Sequence, residues 1–199
     1  MYFFNKIFFI SLLLTLIGGC AAMLVPETND PAQKLRDAYM LFDKQKRPLP
    51  AERLIRESID IYKKSNDELG LAEAYKAYGY FFRSGAVEKY HKHYNAKGFI
   101  ETSASYNTRH DKSIEYFDKA KEIYLKNSKY GDVTNIYLNM GFTYEFANNN
   151  EKACESYKKS LNSNIKHLEM IPEAPIVLPS GFKSYEEYIN GFNKRLGCW

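Results

Sequence analysis

Three cysteines among 199 residues are too few for a disulfide-dense miniprotein or for most structural zinc modules. Glycine and proline are sparse, at 11 and 7, which argues for helices and against a turn-rich β-sandwich. No basic block or aromatic-basic motif gathers the positive charge. Lys+Arg 28 against Asp+Glu 24 leaves +4 spread along the chain, so nucleic acid is not indicated as a partner. A Gly-rich phosphate loop after a strand is missing, and no Ser-His-Asp arrangement stands out from chance. The expectation is therefore a non-enzyme without a cofactor. The apolar run Ile7–Ile17 is too short to cross the bilayer, which needs about 20 helical residues. What the chain does have is 45% hydrophobic residues, 26% charged residues, 17 Tyr and 13 Phe. That mixture suits one folded domain or a short repeat array.

The N-terminus differs from the rest. Lys6 is its only charge before the apolar run, and Ile17-Gly18-Gly19-Cys20 follows. An apolar core of this length followed by small residues reads as an export signal. The tetrapeptide resembles the lipobox of bacterial lipoproteins, whose signal peptidase cuts before the cysteine. The resemblance implies a signal peptide over 1–19, lipidation of Cys20 and a tether over 20–29. Several acyl chains hold a protein to a bilayer far better than one. Ala21, where retention at the inner membrane would favour Asp, implies an outer-membrane anchor facing the periplasm. With Cys20 acylated, Cys154 and Cys198 remain as an even pair in an oxidising compartment, and a disulfide between them is expected.

The remainder repeats itself. Ser58-Ile59-Asp60-Ile61-Tyr62-Lys63-Lys64 is echoed by Ala120-Lys121-Glu122-Ile123-Tyr124-Leu125-Lys126. Tyr75 and Gly79 are echoed by Tyr137 and Gly141, all three pairs being 62 residues apart (58 to 120, 75 to 137, 79 to 141). From Thr134 the chain resembles the tetratricopeptide repeat, a helix-turn-helix unit of 34 residues. Tyr137, Met140, Gly141, Tyr144, Ala153, Tyr157 and Ser160 occupy its pattern positions. From Ala72 the pattern finds Tyr75, Tyr78, Gly79 and Phe82, resuming at Ser113, Phe117 and Ala120. From Ala32 it finds Leu35, Ala38 and Phe42, then Ala51, Ile55 and Ser58, with Tyr39 where a small residue is usual. The resemblance implies an all-α superhelix of about three units within 30–167: 32–65, 72–127 with an insertion at 84–111, and 134–167. Extra residues at 66–71 and 128–133 are expected to lengthen the second helices or their turns. Residues 168–199 read as a proline-containing extended stretch and an amphipathic capping helix over Ser184–Phe192.

Such arrays offer first-helix residues on a concave face. Carried over, the family's lining positions are Gln33, Arg36, Met40 and Asp43; Glu73, Lys76, Tyr80 and Arg83; Asn135, Leu138, Phe142 and Glu145. Met40, Tyr80 and Phe142 form a large apolar row suited to a peptide or helix. Arg36, Lys76 and Arg83 add a basic flank that favours acidic partners. Ile171–Pro179 or the insertion are candidate covers for that row.

The insertion carries Glu88, His91, Lys92, His93 and Lys97, and a solvated or partner-contacting basic loop is expected. His91 and His93 point to different sides of a helix. Glu88 with His91 would supply only two ligands, so no metal is expected. Together these readings imply a lipid-anchored protein-binding adaptor serving an envelope machine. The alternative is an immunity lipoprotein blocking a periplasm-delivered effector such as a secreted phospholipase, with the insertion as its plug.

Overall fold

The computed structural model describes residue 25, residues 27–175 and residues 178–198. The expected leader 1–19, Cys20 and part of the tether lie outside these, as do Ile176 and Val177 of the extended stretch. Among the described residues the fold is all-helical, and no helix is long and apolar enough to cross a membrane.

Helix α1 (Pro31–Tyr39) starts on Asp30, whose carboxylate accepts from the Ala32 amide at 2.9 Å, and runs into a π-helical turn, Met40–Lys44. Helix α2 (Pro48–Ser65) opens on proline, whose fixed φ suits a first helical position. It ends at Asn66 in the left-handed conformation (φ 54°). Helix α3 (Glu68–Phe82) is capped by Asp67, which accepts from the Gly70 amide at 2.8 Å. Then come α4 (Gly85–Lys89), α5 (His91–Lys97), α6 (Arg109–Lys126), α7 (Tyr130–Phe146), α8 (Asn150–Met170) and α9 (Tyr185–Leu196). Of the residues at 66–71 and 128–133, the first two of each lie in the turn, as one of the two expectations had it, and the others begin α3 and α7 rather than extending α2 and α6.

The helices pack as pairs: α1 with α2, α3 with α6, and α7 with α8. Each pair also touches the next, through α2 with α3 and α6 with α7, and α9 closes the far end against α8. Within two pairs a glycine meets an aromatic ring. A Cβ on Gly79 would stand 2.7 Å from Phe117, and one on Gly141 would be closer still to Tyr157. Serine hydroxyls bond the paired backbones: Ser58 to Pro31 O at 3.1 Å, Ser113 to Gly79 O at 2.7 Å, and Ser160 to Thr134 O at 2.7 Å.

Three turns between helices share one construction. A left-handed residue (Asn66, Ser128 or Asn148) is followed by an amide that reaches back five residues, as from Lys129 to Tyr124 O at 2.8 Å. After the π turn the equivalent bond, from Arg47 to Leu41 O at 2.9 Å, spans six residues. The π turn thus absorbs one extra residue. It moves everything N-terminal to it by one place relative to the pattern read from Ala32.

The insertion is helical and anchored by its apolar residues, while Lys89, His91, Lys92 and Lys97 stay exposed as expected of a basic segment. Ala86 and Val87 on α4 are fully buried, and Tyr94, Phe99 and Ala104 join the core around Phe81 and Phe82. Tyr94 stacks on Phe99 at 4.1 Å between centroids, and Phe99 lies 5.0 Å from Phe82. Glu52, only 2% exposed, pins this segment by accepting from the Ile100 amide (2.8 Å) and the Tyr78 hydroxyl (2.9 Å). Glu101 accepts from Tyr116 at 2.6 Å and pairs with Arg56 at 3.1 Å.

Among the described residues tyrosine is the commonest buried aromatic, for a physical reason. Its ring fills the gap between helices while its hydroxyl can reach a polar partner, a glutamate at four positions, though not at Tyr94. Tyr78, Tyr116, Tyr124 and Tyr157 donate hydrogen bonds to Glu52, Glu101, Glu73 and Glu145 respectively.

At the C-terminus Ser184 caps α9 by accepting from the Glu187 amide at 3.0 Å. Ile189 is fully buried, and Arg195 holds Glu145 through both guanidinium nitrogens at 2.7 and 2.9 Å. Cys154 on α8 and Cys198 beyond α9 are joined as a disulfide, with Cα atoms 5.6 Å apart.

Candidate functional site

Helices α1, α3 and α7 contribute to a cavity of about 240 Å³ lined by Tyr39, Phe42, Asp43, Lys46, Tyr80, Arg83 and Phe146, with Ser84 and Gly85 at its edge. Tyr80 lies on α3 between Tyr39 (ring centroids 6.0 Å) and Phe117 (5.2 Å), and its hydroxyl donates to Asn135 Oδ1 at 2.9 Å. Burial pushes the Tyr80 phenol up to about 12.

Arg83 follows α3 directly. Its guanidinium carbon sits 5.1 Å from the Tyr80 centroid, 5.8 Å from Phe117, and 5.9 Å from both Phe142 and Phe146. Its Nη2 donates to Asn139 Oδ1, while its Nε is buried without a partner. Asn139 in turn donates to the Asn135 carbonyl at 2.8 Å. A polar brace therefore runs Tyr80, Asn135, Asn139, Arg83 across α3 and α7. Burial lowers the Arg83 pKa, because the charge has left water without meeting an opposite charge.

The other residues anticipated for the groove are placed as follows. Met40 is 52% exposed, and it is Tyr39, not Met40, whose ring meets Tyr80, because of the extra residue in the π turn. Arg36 is exposed and spends its donors on Gln33 (3.0 and 2.6 Å), with Asp30 at 3.5 Å. Lys76 pairs with Glu73 at 2.8 Å and lies over Tyr124. Leu138 and Phe142 are packed beneath the C-terminal segment. Leu138 shares a cluster with Leu178, Tyr188 and Phe192, and Phe142 is 5.3 Å from Phe192. Pro175 and Pro179 line a second cavity with Leu138, and the residue of the row at this end, Phe142, is met by Phe192 of α9. Of the anticipated residues, Tyr80 and Arg83 line the open cavity with Asp43. Asn135 and Phe142 support it from behind.

Tyr39, Asn139 and Phe146 were missed. Phe146 had a signal: it lies four residues after Phe142, on the same side of one helix, and Asn139 lies four after Asn135. Tyr39 also had one, as a large residue where a small one is usual, but that misfit alone did not say that the register moves by one place at Met40–Lys44.

In the insertion, His91 Nδ1 contacts the Glu88 carbonyl at 3.1 Å, and the His93 ring packs on Tyr94. Among the described residues no three His, Cys, Asp or Glu side chains gather where they could hold a metal ion.

Compared with protein-family models, curated proteins and solved structures, the chain matches none.

Proposed function

We propose that the chain is a short array of three tetratricopeptide-like repeats, anchored to the outer membrane through acylated Cys20 and facing the periplasm. In this reading it is an adaptor that binds another protein for an envelope machine. Its bilayer partner is met through lipid alone, and the tether raises local concentration while the groove captures. Support for the repeats comes from the matching contacts of Gly79 with Phe117 and Gly141 with Tyr157, and from the three alike turns. Support for export comes from the leader pattern and the Cys154–Cys198 disulfide.

The observation that carries the binding role is the open Tyr39-Tyr80-Arg83-Phe146 wall, with Phe146 57% exposed at its mouth. Aromatic residues and arginine are enriched at protein interfaces relative to the rest of the surface. The immunity alternative took the insertion as its plug. Its buried Val87, Tyr94 and Phe99 serve the protein's own core and weigh for the adaptor.

The test places a photo-crosslinking residue at Phe146 and, as control, at exposed Ile165 in the full chain expressed in cells. A discrete adduct at position 146 and not at 165, with palmitate labelling lost in Cys20→Ser, supports the reading. Equal adducts at both positions, or an unlabelled wild-type protein, overturn it.

A further inference from the structure

We propose that the Arg83 cavity is a carboxylate seat, receiving an acidic side chain of the protein partner while an apolar neighbour on that partner lies against Phe146. The inference rests on the adaptor reading and states what the partner must present.

Arg83 is a cation without a counter-ion. No carboxylate pairs with it among the described residues; its acceptor is the neutral amide oxygen of Asn139, and its Nε is buried and unpartnered. Moving a charge out of water without an opposite charge is costly. The four surrounding ring faces offset part of that cost, and a carboxylate would complete it.

The rest of the basic flank is already engaged. Lys76 is held by Glu73 at 2.8 Å, and Arg36 is turned to Gln33 and Asp30. The single carboxylate on the cavity wall, Asp43, is drawn outward to Lys44 at 2.8 Å. Lys46 stands on the same wall and donates to the Asp43 carbonyl at 2.6 Å, so the wall keeps a positive excess.

Size argues for a side chain rather than a whole cofactor. About 240 Å³ is below the roughly 300–1,000 Å³ of small-molecule sites. The remaining wall, Tyr39, Phe42, Tyr80 and Phe146, is aromatic, which favours an apolar group next to the acid.

The test uses the full chain, ¹⁵N-labelled, with two capped dipeptides as probes: N-acetyl-Phe-Asp-amide and its Asn counterpart. They differ in charge and hardly at all in shape. The Asp peptide should bind about tenfold or more tighter. It should also move the Arg83 Nε–H resonance, and Arg83→Met should reduce its affinity to that of the Asn peptide. Equal binding of the two peptides, or an unmoved Arg83 resonance, overturns the proposal. Should Arg83→Met not fold, the comparison of the two peptides on wild-type protein decides alone. Charge-selective binding without any Phe146 adduct in cells would leave the seat standing and remove the adaptor. Adducts with charge-indifferent peptides would do the reverse.

Discussion

The Phe117 ring of α6 lies against Gly79 of α3 so closely that a methyl group there would sit 2.7 Å from its carbon atoms. Tyr157 stands in the same relation to Gly141, more tightly. Neither ring has room to withdraw, since both are fully buried. Gly79→Ala and Gly141→Ala should therefore each destabilise the fold by about 1–3 kcal/mol, despite the better helix propensity of alanine. Urea melts followed by circular dichroism would check this. A stabilising effect at either position would show that the helices can part without cost.

Glu52 predicts a pH dependence. Burial raises its pKa from the ordinary 4.5 to about 7, against the opposing bonds from Tyr78 and the 100–101 backbone. The folded chain thus holds this proton more tightly than the unfolded one. The stability it supplies is complete below about pH 4.5 and is lost as pH rises through about 7. Glu52→Gln, which mimics the protonated acid, should match wild type at pH 5 and exceed it by about 1–3 kcal/mol at pH 8. A variant equally weakened at both values would contradict the assignment.

The disulfide closes a loop of 44 residues that contains the extended stretch and α9. On chain entropy such a closure contributes about 4 kcal/mol, and measured effects are commonly about 2–4. Reduction should lower the melting temperature by several degrees, and Cys198→Ser should melt at the reduced temperature with no response to reductant. A wild-type melting curve indifferent to reductant would mean the bond is not formed in solution.

Alkaline titration should be abrupt. Burial raises the phenols of Tyr39, Tyr78, Tyr94, Tyr124 and Tyr157 well above their ordinary value. Only part of the 17 tyrosines should ionise reversibly, and the rest should appear together with loss of helical signal. Smooth ionisation of all of them with the helices intact would contradict the packing.

The features legible in the sequence were those set by local chemistry. Ser184 opens the expected capping helix, Gly79 and Gly141 announce close approach, and Cys154 and Cys198 are the pair left once the lipobox resemblance sets Cys20 aside. The features that escaped were set by tertiary context. The extra residue in Met40–Lys44 exchanges Met40 for Tyr39 on the inner wall, and its one trace in the sequence, Tyr39 in a place that usually holds a small residue, does not give the direction of the shift. Val87, Tyr94 and Phe99 are spread through a polar-looking stretch with no regular spacing, and only the gap beside Phe81 and Phe82 shows why they are buried. Phe142 was legible as an aromatic, but Phe192, which covers it, is distant in sequence.

The brace from Tyr80 through Asn135 and Asn139 to Arg83 bolts two neighbouring helices together along the inner wall. A joint of this kind makes the trough a strut rather than a hinge, its width preset before anything arrives. A visitor then forfeits little freedom on the host's behalf, so selectivity rests on what it brings to Arg83 rather than on any reshaping of the scaffold.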